Sequence, residues 1–274
     1  MKLSPRPVLL TLLLGLLAGC YQVPVTGRRA VNLVDDKEVT KMSIAAFEDM
    51  KRQYRPSRDR ARIEQLNRIG DRLSKVVFWD MPDAEWEFVV FDVPQQINAF
   101  AMAGGKVGVF SGLYKIIEND DQLASVIAHE ISHVTAKHIH QRLSQEMLVN
   151  TGGVLGSVAL MGSGAAPLTA IAIQEVYGLS TGVTGLAFDR AKEKEADYIG
   201  LIYMAKAGYN PEEAVKVLEK LDAETGASGK DLPPAFLSTH PSNPERILQL
   251  LDEMPKALEA RRNAGQASVP VLVK

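Results

Sequence analysis

Val126-Ile-Ala-His129-Glu130-Ile131-Ser132-His133-Val134-Thr135 lies inside a run from Asp121 to Met147 that contains neither glycine nor proline. The run therefore reads as one long helix, with Asn119 as its cap. Residues four apart on a helix lie one turn apart and about 40° around its axis, so the rings of His129 and His133 can reach a single ion. Glu130 stands beside them, placed to take a proton from a nucleophilic water.

Two imidazoles do not complete a catalytic zinc site, which takes three protein ligands and keeps one position for water. One class of zinc hydrolases would need a glycine three residues after His133 and a third histidine three residues beyond that. Ala136 and Ile139 stand there instead, which excludes the class. The remaining arrangement draws a carboxylate from a later helix, and Arg190-Ala-Lys-Glu193-Lys-Glu195-Ala196-Asp197 offers two candidates. Glu193 and Asp197 are four apart and share a face, so one can bind metal while the other receives the free ring N–H of a ligand histidine. Glu195 lies about 200° around the axis from Glu193 and has the apolar Ile199 at the matching offset. The expected set is His129, His133 and Glu193 around one Zn2+ per chain, with Asp197 as orienter and Glu130 as the catalytic base. On one continuous helix His138 would point away from the metal in a structural role, and His140, three turns along, would take a rim or surface role.

Charged and apolar residues alternate at helical spacing from about Asp36 to Tyr54 and from Ser57 to Val77, with Ser57 and Asp59 as possible starts for the second helix. The period then shortens. Trp86 to Phe91 and Ile97 to Met102 read as strands, and Gly104-Gly105 turns the chain into a third, Lys106 to Phe110. Ser111 to Ile117 reads as a short helix, and further helices are expected from about Thr184 to Ala207, from Pro211 to near Glu224 and from Pro244 onward. The class is α+β, mostly helical, with a small antiparallel sheet flanking the helix that carries His129 and His133. Asn98, Ala99, Phe100 and Ala101 put small and polar residues on the strand before that helix. An exposed strand edge there would bind an extended peptide through its main chain, favouring unfolded partners; an ordinary core hairpin is the alternative.

The 274 residues are 46% hydrophobic and 23% charged, with a formal charge of −2, so neither disorder nor nucleic-acid binding is indicated. A single cysteine excludes a disulfide framework. Lys2 and Arg6 precede an apolar run from Val8 to Gly19, too short to span a bilayer and matched to a signal peptide. Leu17-Ala18-Gly19-Cys20 resembles the bacterial lipoprotein processing box, which implies removal of residues 1–19 and lipidation of Cys20. Tyr21, where an inner-membrane retention signal would show Asp, implies the periplasmic face of the outer membrane. Residues 20–35 then read as a lipidated tether, 36–252 as the catalytic domain and 253–274 as a tail. Between Glu146 and Glu175 no charge occurs, yet glycines and Pro167 interrupt the stretch. A lid, a self-association surface within residues 147–188 or a membrane-inserted segment are the readings it permits.

His129-Glu-x-x-His133 followed by Arg190-x-x-Glu193-x-x-Ala196-Asp197 resembles the M48 family of zinc metallopeptidases. Pro24-Val-Thr-Gly-Arg-Arg29, Asn98-Ala-Phe-Ala101 before Gly104-Gly105, and Thr239-His240-Pro241 with Arg246 behind it are similar to its soluble periplasmic branch. Asp189 stands where many members have Ser, and Ala103 where many have Pro. The resemblance implies that His240 hydrogen-bonds the oxyanion of the tetrahedral intermediate, and that misfolded or misassembled envelope proteins are the substrates. A chaperone or assembly factor for outer-membrane proteins, with proteolysis secondary or latched, is the alternative from another class.

Overall fold

The computed structural model describes residues 20–150, 189–227, 235–241 and 244–267. The expected signal peptide, most of the charge-free stretch, the loop 228–234 and the end of the tail lie outside the described residues.

A short antiparallel hairpin, β1 (Cys20–Gln22) and β2 (Arg29–Val31), opens the chain, so the segment expected as a tether is folded and packed. Val23 and Ala30 join the main core, which is why the hairpin stays docked. Helices α1 (Asp36–Gln53) and α2 (Arg60–Val76) follow, each started by an aspartate whose carboxylate accepts first-turn N–H groups: Asp35 for α1 and Asp59 for α2. Of the two starts considered for the second helix, Asp59 is the cap.

Strands β3 (Glu87–Phe91), β4 (Ala99–Met102) and β5 (Lys106–Phe110) form a sheet in the order β3-β5-β4. The α+β, largely helical class stands, but the sheet is mixed, because β3 runs parallel to β5 while β4 is antiparallel to it. The β4–β5 hairpin closes as expected at Gly104 and Gly105, both left-handed with φ 83° and 82°. β5 takes the centre because Gly108 lets two neighbouring rings close over it: a Cβ there would meet Phe100 at 2.2 Å and Phe91 at 2.8 Å.

The expected long helix is two. α3 (Asp120–Thr135), capped by Asn119 through the Gln122 N–H, ends at Ala136, and α4 (His138–Asn150) starts anew. Between them Lys137 adopts φ 54°. A side chain in the left-handed region costs about 1–2 kcal/mol, and Lys137 offsets this by pairing with Asp36 and lying 4.4 Å from the centre of the Tyr21 ring. Sequence composition shows no glycine at this break, so the helix pattern concealed it.

α5 (Arg190–Lys206), α6 (Glu212–Ala227), the short α7 (Ala235–Thr239) and α8 (Pro244–Ala267) complete the fold. Asp189 caps α5 by accepting from the Lys192 N–H at 2.9 Å. Serine and aspartate serve equally in that position, which accounts for the Asp189 departure. Residues 253–267, expected as tail, continue α8 and bury Met254 and Ala257.

α3 is buried on nearly every side, against α5, β4, α6 and α2. Its closest neighbour is α5, where Gly200 faces the backbone of His129: a Cβ would come within 2.9 Å of the His129 nitrogen. Gly200→Ala is therefore expected to push the two helices apart, costing about 1–3 kcal/mol in urea unfolding and weakening metal retention at the same time.

Candidate metal centre

α3 presents His129 and His133 one turn apart, with their Nε2 atoms 3.1 Å from each other. The first turn of α5 brings Glu193 between them: its Oε2 lies 3.5 Å from His129 Nε2 and its Oε1 3.4 Å from His133 Nε2. His240, just past α7, places Nδ1 at 3.0 Å from Glu193 Oε1 and 3.3 Å from His129 Nε2. All four side chains are buried and offer ligand atoms within 4.8 Å of one another. A tetrahedron with bonds of about 2.0–2.1 Å has edges near ~3.3 Å, so these spacings are those of donors converging on one small cation.

The electrostatics agree. Glu130, Glu193 and Asp197 set three buried carboxylates against the single guanidinium of Arg246, a deficit that suits a divalent ion. Burial disfavours the charged ring of His129, yet Asp197 and Glu193 push its pKa up to about 10. Glu193 falls well below the usual carboxylate range, because the neighbouring histidines outweigh its burial. Burial keeps His133 well below the ordinary histidine value. Glu130 extends beside the cluster with Oε1 buried and without a hydrogen bond, 3.4 Å from His240 Nε2; its burial raises its pKa.

Asp197 Oδ1 faces His129 Nδ1 at 3.0 Å, off the axis of the ring N–H. Arg246, on α8, grips that carboxylate with both arms of its fork, Nε to Oδ2 at 2.7 Å and Nη2 to Oδ1 at 2.8 Å. Its Nη1 stands 3.0 Å from Glu193 Oε2 and donates to the carbonyl of Pro241 at 3.2 Å. One buried cation thus ties together Glu193, Asp197 and the His240 loop. Local sequence assigns Arg246 no role. The signal was present: Arg246 stands on the stripe of α8 that continues through Leu250, Met254 and Ala257, all buried, and a cation in such a stripe needs a paired acid.

His133 is held differently. Because Lys137 breaks the helix, His138 does not point away as expected but is fully buried, with Nδ1 3.0 Å from His133 Nδ1. Its Nε2 lies 2.9 Å from Glu195 Oε2. Glu195 in turn accepts from Arg28 Nε and Nη2 at 2.8 and 2.6 Å and from Thr26 Oγ1 at 2.9 Å, both in the turn of the first hairpin. Against its burial, these partners draw the Glu195 pKa down to about 2. His140, expected at the rim, is buried with Nε2 3.3 Å from Asp36 Oδ1, since α4 folds back over α1 instead of continuing α3.

β4 is the outer strand of its sheet and α3 packs across it. Asn98, Ala99, Phe100 and Ala101 are buried, so their side chains belong to the core. Phe110 N–H donates to the Asn98 carbonyl, which makes Asn98, Phe100 and Met102 the residues bonded to β5. By the alternation of an antiparallel ladder, the backbone groups of Ala99 and Ala101 are directed away from β5, yet both residues are buried whole, so the edge expected to be exposed is covered in this structure. The Ala99 N–H is taken by the Asn98 side chain. Phe236, which stacks on His240 at 4.6 Å between ring centres, donates its N–H to the carbonyl of Ile97 and docks the His240 segment against the lead-in to this strand.

Residues 60–254 match the profile of Peptidase family M48. Among characterised proteins the chain is similar to the mitochondrial metalloendopeptidase OMA1 of Schizosaccharomyces pombe, 33% identical over 88% of this chain and 68% of that protein. It is similar to the OMA1 of Saccharomyces cerevisiae, 36% identical over 68% of this chain and 52% of that protein. It is also similar to the beta-barrel assembly-enhancing protease of Escherichia coli, 36% identical over 56% of this chain and 31% of that protein. The match to the family spans the helix with His129, Glu130 and His133, the helix with Glu193 and Asp197, and Arg246 behind them: the chain belongs to peptidase family M48 and is a metallopeptidase of that family.

Proposed function

We propose that the protein is a zinc endopeptidase, anchored by lipid on Cys20 at the periplasmic face of the outer membrane, that cleaves extended segments of misfolded or misassembled envelope proteins. The observation that carries the reading is Glu130, a buried carboxylate without a hydrogen bond on Oε1, beside three converging donors with the spacing of a small tetrahedral site. A zinc ion held by His129, His133 and Glu193 would polarise the scissile carbonyl and make water acidic enough to be deprotonated near neutral pH. Glu130 takes that proton from the attacking water and returns it to the departing amine nitrogen. A substrate strand that displaces what covers β4 would bond to the main-chain groups β5 leaves unused, the Ala99 carbonyl and those of Ala101, which reads no side chains and so admits any chain that is unfolded. A role in envelope quality control fits the similarity to a beta-barrel assembly-enhancing protease. Among the described residues no helix is long and apolar enough to cross a membrane, and Cys20 would supply the attachment.

Purified protein is expected to contain one zinc per chain and to cleave casein; a chelator should abolish cleavage and lower the melting temperature, with both restored by zinc. Absence of metal, or cleavage indifferent to the chelator, would sink the proposal.

A latched enzyme is the second reading, favoured by one observation: His240 offers a fourth donor where a catalytic site keeps a position for water and substrate. His240→Ala is expected to raise casein cleavage. A fall of about 10²–10³-fold would instead assign His240 to the oxyanion.

A further inference from the structure

We propose that Glu195 and His138 form a positioning relay that sets which nitrogen of His133 is free for metal, and that the turn of the N-terminal hairpin, through Thr26 and Arg28, holds the relay in place. The inference rests on the reading of His133 as a ligand and concerns how that ligand is kept competent.

A neutral imidazole has one N–H and one lone pair, so fixing one nitrogen fixes the other. Glu195 carries three donors besides the ring: two from Arg28 and one from Thr26. Its Oε2 can only accept, so His138 must direct an Nε2–H at it across 2.9 Å. The lone pair of His138 then lies on Nδ1, 3.0 Å from His133 Nδ1. That nitrogen must supply the hydrogen, and the lone pair of His133 falls on Nε2, where Glu193 and His129 converge. His129 meets its carboxylate, Asp197, directly, whereas His133 meets one through an interposed ring. The interposed ring is available only because Lys137 breaks the helix and turns His138 inward.

The far end of the relay is exposed in part: the Arg28 side chain is 42% accessible, while His138 is fully enclosed. Arg28 also donates to Gln141 at 3.1 Å on α4, so the hairpin turn clamps Glu195 to the helix that carries His138. A segment about a hundred residues upstream of the ligand helix therefore takes part in the metal centre without touching the metal.

The experiment uses the full chain and zinc itself, titrated against a chromophoric chelator, with the melting temperature of each metal-free form measured alongside. His138→Phe keeps the ring volume and removes the acceptor; it is expected to weaken zinc binding roughly 10–100-fold. His138→Gln, whose amide oxygen can accept from His133, is expected to recover most of that loss. Glu195→Gln lets an amide N–H face His138 and favours the opposite tautomer, and Arg28→Ala loosens the carboxylate; both are expected to weaken binding several-fold, with the absorption bands of the cobalt-substituted protein shifted. Glu195→Gln and Arg28→Ala decide the matter if His138→Phe does not fold. Wild-type protein that binds no zinc would remove the metal reading and this one with it. Wild-type binding with all variants within about twofold of it would overturn the relay alone, as would an equal loss in His138→Gln and His138→Phe.

Discussion

Glu130→Gln is expected to lower casein cleavage by roughly 10²–10⁴-fold, the range of a lost general base, while the bound zinc remains and the melting temperature of the metal-free protein rises. The carboxylate is 3% exposed, Oε1 makes no hydrogen bond, and burial raises its pKa. An amide of the same shape removes a charge that the fold does not compensate, so the protein gains stability as it loses function. The sign follows from linkage. A carboxyl whose folded pKa is raised contributes its stability below the unfolded value of 4.5 and loses it as pH rises through the folded value. The variant's advantage should therefore be absent in acid and grow toward neutrality. Activity runs the other way: wild-type kcat/KM requires the ionised base and should fall in acid as that base is protonated. Calorimetry from acid to neutral pH, beside a pH–rate profile, tests both. An unchanged melting temperature at neutral pH, or cleavage that survives the substitution, would contradict the assignment.

Arg246→Met should be the most damaging single change to stability. Its guanidinium is 2% exposed, spans Asp197 and approaches Glu193, and these acids raise its pKa while it lowers that of Asp197. Removing one partner of a buried pair strands the other charge and costs about 3–5 kcal/mol. Because Asp197 and the Pro241 carbonyl lose their donor and Glu193 its counter-charge together, the variant should also lose zinc. Arg246→Lys restores the charge but not the planar fork, so it is expected to recover part of the stability and little of the metal affinity. Urea unfolding with zinc present and after chelation separates the two effects.

The cluster of candidate ligands was legible because helical periodicity is local: His129 and His133 need only one turn of α3, and Glu193 and Asp197 only one turn of α5. The caps Asn119 and Asp59 were legible for the same reason. What escaped depended on events outside the window. Lys137 has no composition that marks a break, and its left-handed backbone is sustained by Asp36 and Tyr21, a hundred residues upstream. With that break unseen, His138 was assigned to the wrong side of the helix, and Glu195, judged only against its own helix, had no partner in view. Arg28 and Thr26 were set aside as tether because nothing local discloses a carboxylate that folding brings to them. The parallel pairing of β3 with β5 likewise arises from chain crossing rather than from either strand's pattern.

The anchoring of Asp197 and Glu193 by residue 246, on the last helix described, has a temporal corollary. A polypeptide ending between Glu193 and that arginine owns all three candidate liganding side chains yet lacks the counter-charge that lets them be interred together. Such a fragment, whether released early or still emerging during synthesis, would be hydrolytically silent, so destructive capacity appears only after the surrounding body has been assembled.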